Sequence, residues 1–269
     1  MTGRTVITVD NVVGSQIIVG NGSAAIRLTL DGASVLDAGA GPRLRVGREP
    51  RRLAVRERPA LVGRDAVVAS AVADLAEGRS VQLFGAPGVG RRAVAHAIVG
   101  WLGAAGHTGV QVLDGLEPHT LGSLFTWLAR HFFEETWYEP DEETLRAAAE
   151  QTGASGIVVI ADCDLTTDEA DRLLGTFQQC VFLLTSRQQT LFSSSASAYE
   201  IDPLTVGQAR ELLARELAAV PTDVSDAQVE EAYRLAEGQT RRLIHYSSFV
   251  RSAARHPGPG PQQIGRAHV

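Results

Sequence analysis

The chain has no lysine: all 25 basic residues among its 269 positions are arginine. A GC-rich coding bias leaves this pattern, so an arginine where lysine is usual is not by itself a sign of a special role. Cysteine is nearly as scarce. Cys163 and Cys180 stand alone, in apolar stretches and without metal-ligand spacing, which suits buried thiols in a reducing cytosol and excludes a spaced metal motif. No run of about 18 apolar residues occurs, so no membrane span is expected, and Met1-Thr2-Gly3-Arg4 gives no expectation of a secretion leader. An excess of positive charge is missing too: the net charge of −6 makes no general case for nucleic acid binding. His96, His107, His119, His131, His245 and His256 form no spaced cluster. What is present is a composition 44% hydrophobic, enough to fill the core of one large domain or two smaller ones.

Texture divides the chain. Residues 1–36 alternate β-branched runs with glycines, at 5–9, 16–19 and 25–30, and Asn21-Gly22 suits a tight hairpin turn. Residues 37–60 hold many Gly, Pro and Arg and read as a linker. From Leu61 to about 205, strands alternate with helices. Strands are expected at 81–84, 109–114, 157–161, 181–185 and 199–201. Helices are expected at 65–75, from 93 to about 102, and at 121–133, 141–151 and 167–177, the last capped by Thr166. This alternation predicts an α/β domain with a parallel sheet covered on both faces. After Pro203 the pattern turns all-helical, at 206–220, 225–237 and 240–254. Residues 255–269 are Pro/Gly-rich and expected to be loose. Their last six, Ile264 to Val269, resemble a translated sequencing adapter and are expected to be a scar on a longer protein.

The most informative segment is Gly85-Ala86-Pro87-Gly88-Val89-Gly90-Arg91-Arg92, placed between an apolar strand and a helix that continues through Ala93. This is the setting of the phosphate-cradling loop G-x-x-x-x-G-K-[ST]. Its glycines are here, but Arg91 replaces the lysine and Arg92 the Ser/Thr. Glycines let backbone N–H groups curl around an anion at the positive end of a helix, and that needs neither side chain. Arg91 keeps a charge in a longer, forked shape. Arg92 replaces a hydroxyl that would bind Mg²⁺ and repels a cation instead. The plain alternative is a glycine-rich turn that only joins strand to helix.

Ile157 to Asp164 reads as a Walker B strand, apolar residues followed by carboxylates. Two registers are open. If Asp162 is the first carboxylate, a possible Mg²⁺ ligand remains. If Ala161 stands at the metal-holding position, Asp162 is the second acid, a catalytic candidate, and both magnesium-linked positions are lost together; we favour this register. The alternative for Asp162 and Asp164 is a cap for the next helix. Ser186 and Arg187 end a central strand, where ligands sit in open α/β sheets, and Arg187 could sense a γ-phosphate or be a solvated loop arginine.

Three further pieces join these: Leu61-Val62-Gly63-Arg64-Asp65, about twenty residues ahead of the loop; Ile201-Asp202-Pro203-Leu204-Thr205 followed by Gln208 to Leu213; and Ala236-Glu237-Gly238. In this order, over roughly residues 61–254, the chain resembles the NB-ARC-like branch of the STAND signal-transduction ATPases of actinobacterial type. The resemblance implies a P-loop NTPase three-layer sandwich with a helical lid, and ATP or ADP as ligand. It implies that Val62, Gly63 and Arg64 border the adenine, that Gly85 to Ala93 hold the phosphates, and that Ser186 and Arg187 act as sensor. It also implies a cytoplasmic switch, closed with ADP and opened by ATP for homo-oligomerisation. The chain departs from the pattern at Arg91 and Arg92, at Ala161, and at Gln239-Thr240-Arg241-Arg242-Leu243, which replaces a Gly-x-Pro-type sequence. Weak or absent hydrolysis is therefore expected, with Mg²⁺ in question. A nucleotide-free scaffold and an active AAA-type ATPase linked to transcription are the alternatives.

Val12 to Asn21 is β-prone, uncharged and free of proline, which are steric-zipper traits. It resembles the amyloid signalling motifs that precede some bacterial switch ATPases, and that reading implies an effector protein with a matching segment. The other reading is an ordinary hairpin. A peptide of residues 5–30 separates them: signalling predicts fibres with a cross-β diffraction signal, and a soluble monomer ends that reading.

Overall fold

The computed structural model describes residues 61–107, 110–113, 120–133, 141–218 and 225–255, together with three strands at 16–19, 24–29 and 32–37. Those strands are β1 (Gln16–Val19), β2 (Ala24–Thr29) and β3 (Gly32–Asp37). They pair antiparallel in the order β1-β2-β3, with Val19 opposite Ala24 and Ala24 opposite Asp37. β3 was not foreseen, because Gly-Ala-Ser-Val-Leu-Asp holds only two β-prone residues. The strand expected at 5–9, the Asn21-Gly22 turn, the expected linker from 38 to 60 and the tail beyond 255 lie outside the described residues; Asp37, where the linker was expected to begin, ends β3.

The main sheet comprises β4 (Ser80–Phe84), β5 (Val110–Leu113), β6 (Gly156–Ile160), β7 (Cys180–Ser186) and β8 (Ala196–Glu200). All four pairings are parallel, in the order β5-β6-β7-β4-β8. Helices α1 (Asp65–Ala76), α2 (Arg91–Ala104), α3 (Leu121–Phe132), α4 (Glu142–Thr152) and α5 (Thr167–Thr176) cover it. Strand period decides which face each residue serves. Ile157 and Val159 join Val81, Leu83 and the buried residues of α1 and α2. Val158 and Ile160 face the other way, into a core with Phe182, Leu184 and residues of α3, α4 and α5. The expected three-layer α/β sandwich with a parallel sheet is thus observed, with a short N-terminal β segment and an all-helical part after it.

That part is α6 (Val206–Leu217), α7 (Asp226–Ala236) and α8 (Thr240–Arg255). Its core of Leu204, Ala209, Leu212, Leu213, Val229, Ala232, Ala236 and Leu243 also takes in Val62 from ahead of α1. Helix starts follow the sequence closely. Thr120, Asp141, Thr166, Thr205 and Ser225 each accept a hydrogen bond from a backbone N–H in the first turn of α3 to α7. α1 and α2 have no side-chain cap.

Strand order places the candidate site. The chain leaves β4, crosses through α2 to the far edge at β5, and returns through β6 and β7 to β4's own neighbour. It then passes to β8 on β4's other side. β4 is therefore the switch point, and the crevice beyond its carboxyl end is where such sheets take ligands. Phe84 opposite Ser186, and Ile160 opposite Leu184, bring the ends of β4, β6 and β7 to one rim.

Phe177 is fully buried, with its ring 5.8 Å from Phe132 and 6.5 Å from Phe125. Phe177→Ala is expected to cost about 3–5 kcal/mol in denaturant unfolding. Thr166→Ala, which removes a capping box with Glu169, is expected to cost about 1 kcal/mol.

Candidate functional site

The loop after β4 is built by its glycines. Gly85, Gly88 and Gly90 have φ of 146°, 84° and 107°, a region that side chains with a Cβ rarely adopt. At Gly85 a Cβ would also stand 2.6 Å from the carbonyl oxygen of Ile201, so β8's exit passes against the loop. Pro87 and Ala86 complete the turn, and Val89 is buried in the core beneath it.

Arg91 lies on the inner side of this loop, its side chain only 10% exposed. Its Nη1 donates to the carbonyl oxygens of Gly85, at 2.9 Å, and Ser186. Its Nη2 lies 3.4 Å from Asp162 Oδ1. One guanidinium thus ties the ends of β4, β6 and β7, which a lysine's compact ammonium would not span in this forked way. Burial pulls its pKa below the ordinary value against the charges of Asp162 and Asp164, with Arg187 and Arg92 adding to the pull; it stays charged at neutral pH. Arg92 reaches the same carboxylate from the next helical position, Nη2 to Asp162 Oδ2 at 2.8 Å. Both oxygens of Asp162 therefore carry a guanidinium.

Asp162 is held by the strand beside it. Its backbone N–H donates to Thr185 Oγ1 at 2.8 Å, and that of Cys163 to the Thr185 carbonyl at 2.7 Å. The turn gives Asp162 a φ of 52°, which Asp tolerates better than most residues. Ala161 is buried; its side chain offers no oxygen.

Ser186 is buried and engaged: its hydroxyl donates to the Gln188 carbonyl at 2.7 Å and accepts from Gln82 Nε2 at 2.6 Å. Arg187 turns to Asp164, with Nε to Oδ2 at 2.7 Å and the backbone N–H to Oδ1 at 3.0 Å. Burial raises the Asp164 pKa, but the hydrogen bonds from Arg187 and the charges of Arg187 and Arg91 outweigh it and hold the group below the ordinary carboxylate value.

Arg64, only 9% exposed, donates to the Asp202 carbonyl. Burial lowers its pKa, opposed by the Asp202 charge. Gly63 has a φ of 64°, and a Cβ there would meet Gln208 of α6 at 2.0 Å. The segment Val62 to Arg64 is thus clamped between the sheet domain and the helical part.

Two sets of contacts were not read from the sequence. Fully buried Gln82 accepts at Oε1 from the N–H groups of Thr190 and Leu191, both at 2.9 Å, and its Nε2 donates to Thr190 Oγ1 at 2.9 Å as well as to Ser186. It fixes the loop that carries Arg187. The signal was available: a polar residue inside an apolar central strand must find partners. The start of α8 meets the loop directly. Arg241 N–H donates to the Gly88 carbonyl at 2.9 Å, and Thr240 Oγ1 to the Val89 carbonyl at 2.9 Å. Thr240 and Arg241 therefore dock on the glycine loop after β4.

A magnesium ion does not fit these residues. Arg92 supplies no hydroxyl, Ala161 no carboxylate, and Asp162 is bridged on both oxygens. Among the described residues no group of three or more His, Cys, Asp or Glu is placed to hold a metal, and no helix is long and apolar enough to cross a membrane.

No family model and no curated protein matches the chain. Solved structures do. The RuvB Holliday junction branch migration motor of Thermotoga maritima is 19% identical over 74% of this chain and 66% of its own, with a TM-score of 0.46. A Walker-type ATPase of Pyrococcus abyssi is 15% identical over 74% and 69%, with a TM-score of 0.47. A STAND protein with a tetratricopeptide repeat sensor from Pyrococcus horikoshii is 16% identical over 64% and 28%, with a TM-score of 0.41. The chain spans 63–66% of the RuvB chains. At this identity and these scores, the assignment to a P-loop NTPase fold stands on the strand order and the loop itself.

A carboxylate whose folded pKa lies below its unfolded value of about 3.9 adds stability above that value and loses it as pH falls through the folded one. Asp164→Asn is therefore expected to lower stability at neutral pH and to shrink the loss of stability below about pH 4. Chemical denaturation at pH 7 and pH 3 measures both.

Proposed function

We propose that the chain is an adenine-nucleotide-binding signalling switch of the STAND kind, with weak or absent hydrolysis. The observation that carries this reading is the loop of Gly85, Gly88 and Gly90, all at positive φ, set at the sheet's switch point. α8 is docked on its carbonyls. A turn that only joined strand to helix would need neither three such glycines nor a second module seated on it. In this reading the backbone of residues 85–93 takes the phosphates and residues 62–64 border the base. Residues 206–254 form the lid on the 61–205 domain, and Ser186 and Arg187 report on phosphate occupancy. Hydrolysis is weak because phosphoryl transfer depends on placed cations and an oriented water, and Asp162 is engaged by two arginines.

The wider role follows the same reading: a cytoplasmic protein that self-associates on activation and signals to an effector through residues 12–21. Two other classes stand against it, a nucleotide-free scaffold and an active AAA-type ATPase.

Titration with labelled ADP and ATP, with and without Mg²⁺, separates the three. Binding without turnover or metal dependence is expected. No binding indicates the scaffold, and Mg²⁺-dependent turnover the ATPase. The double variant Arg91→Lys, Arg92→Thr is expected to gain metal dependence, binding ATP on the order of tenfold more tightly with Mg²⁺ than without it, the scale of one well-placed charge-assisted contact. Unchanged binding means that the pocket has diverged elsewhere too.

A further inference from the structure

We propose that Asp162 is an internal competitor of the ligand: its carboxylate occupies the paired guanidiniums of Arg91 and Arg92, and a di- or triphosphate takes them over without a divalent cation. This deepens the nucleotide-binding reading and rests on it.

The local electrostatics lead there. The first turn of α2 has no acidic residue and no side-chain cap, and its N-cap is Gly90. Two arginines begin this helix at the positive end of its dipole, where cations are disfavoured. An anion must offset them, and Asp162 does so from the end of β6, one oxygen to each guanidinium. Arg187 adds positive charge nearby, itself paired with Asp164. A polyphosphate offers this cluster more negative charge and more acceptors than one carboxylate.

Asp162 is also built differently from a metal ligand. It is placed by Thr185 through its own backbone N–H, at a φ of 52°. Its side chain remains 44% exposed, so the carboxylate can swing away once the arginines turn to phosphate. Until it does, a polyphosphate entering the site faces a like charge at close range.

This arrangement makes a prediction opposite in sign to that for a magnesium-holding or water-activating acid. Asp162→Asn and Asp162→Gly both tolerate the left-handed backbone. Each is expected to bind labelled ADP in EDTA roughly three- to tenfold more tightly than the unaltered chain, with Mg²⁺ adding nothing. Arg92→Ala is expected to weaken binding and to shrink the gain from Asp162→Asn, a coupling that a double-mutant cycle reads. Equal or weaker binding by folded Asp162→Asn and Asp162→Gly, with the unaltered chain still binding ADP, overturns the competitor role and leaves the nucleotide reading standing. Mg²⁺-dependent tightening that Asp162→Asn abolishes overturns it as well. Absence of ADP and ATP binding in every form defeats both readings at once.

Discussion

The Arg91 guanidinium is the contact on which the candidate site depends. It donates to Gly85 and Ser186 and faces Asp162, so one planar cation closes the rim formed by three strands. Carbonyl groups at strand ends lose their ladder partners, and buried ones must be satisfied from elsewhere. A forked donor with five N–H groups can serve several of them at once. The glycine loop, the Asp162 turn and the Ser186-Arg187 segment are therefore parts of one hydrogen-bonded unit.

Around that unit the polar residues divide the work. Gln82 secures residues 186–191 from within β4. Thr185 sets the turn at Asp162. Thr240 and Arg241 bring the helical module onto the loop through backbone carbonyls. On the proposed nucleotide-binding reading, a change of phosphate occupancy at the loop would reach the helical module by direct contact, as a switch that shifts a two-state equilibrium through differential contacts requires. The positions that would serve metal-assisted cleavage hold arginines or alanine, and the proposal of binding without cleavage rests on them.

Much of the fold was legible beforehand because it depends on local pattern. Continuous apolar runs marked β6 and β7, the Thr166 cap marked α5, and the glycine spacing marked the loop. Misses occurred where the pattern is thin. β3 has two β-prone residues, and β8 extends back through Ala196-Ser197-Ala198, a run of small side chains that only pairing with β4 makes a strand. Such edge strands are decided by the neighbour's free backbone groups, which composition does not express.

For the site, the amino-acid sequence determined which groups are available: three glycines free to take positive φ, two arginines where lysine and a hydroxyl would serve metal chemistry, and acids after an apolar strand. These are properties of residue type and spacing along one segment. Which cation faces which anion was decided only in three dimensions. Arg91 and Arg92 share Asp162, Arg187 takes Asp164, and Ser186 belongs to Gln82, because strand order brings together residues between 23 and 104 positions apart. A pairing across that distance is set by sheet topology and register, and neither is written in the local periodicity of any one strand.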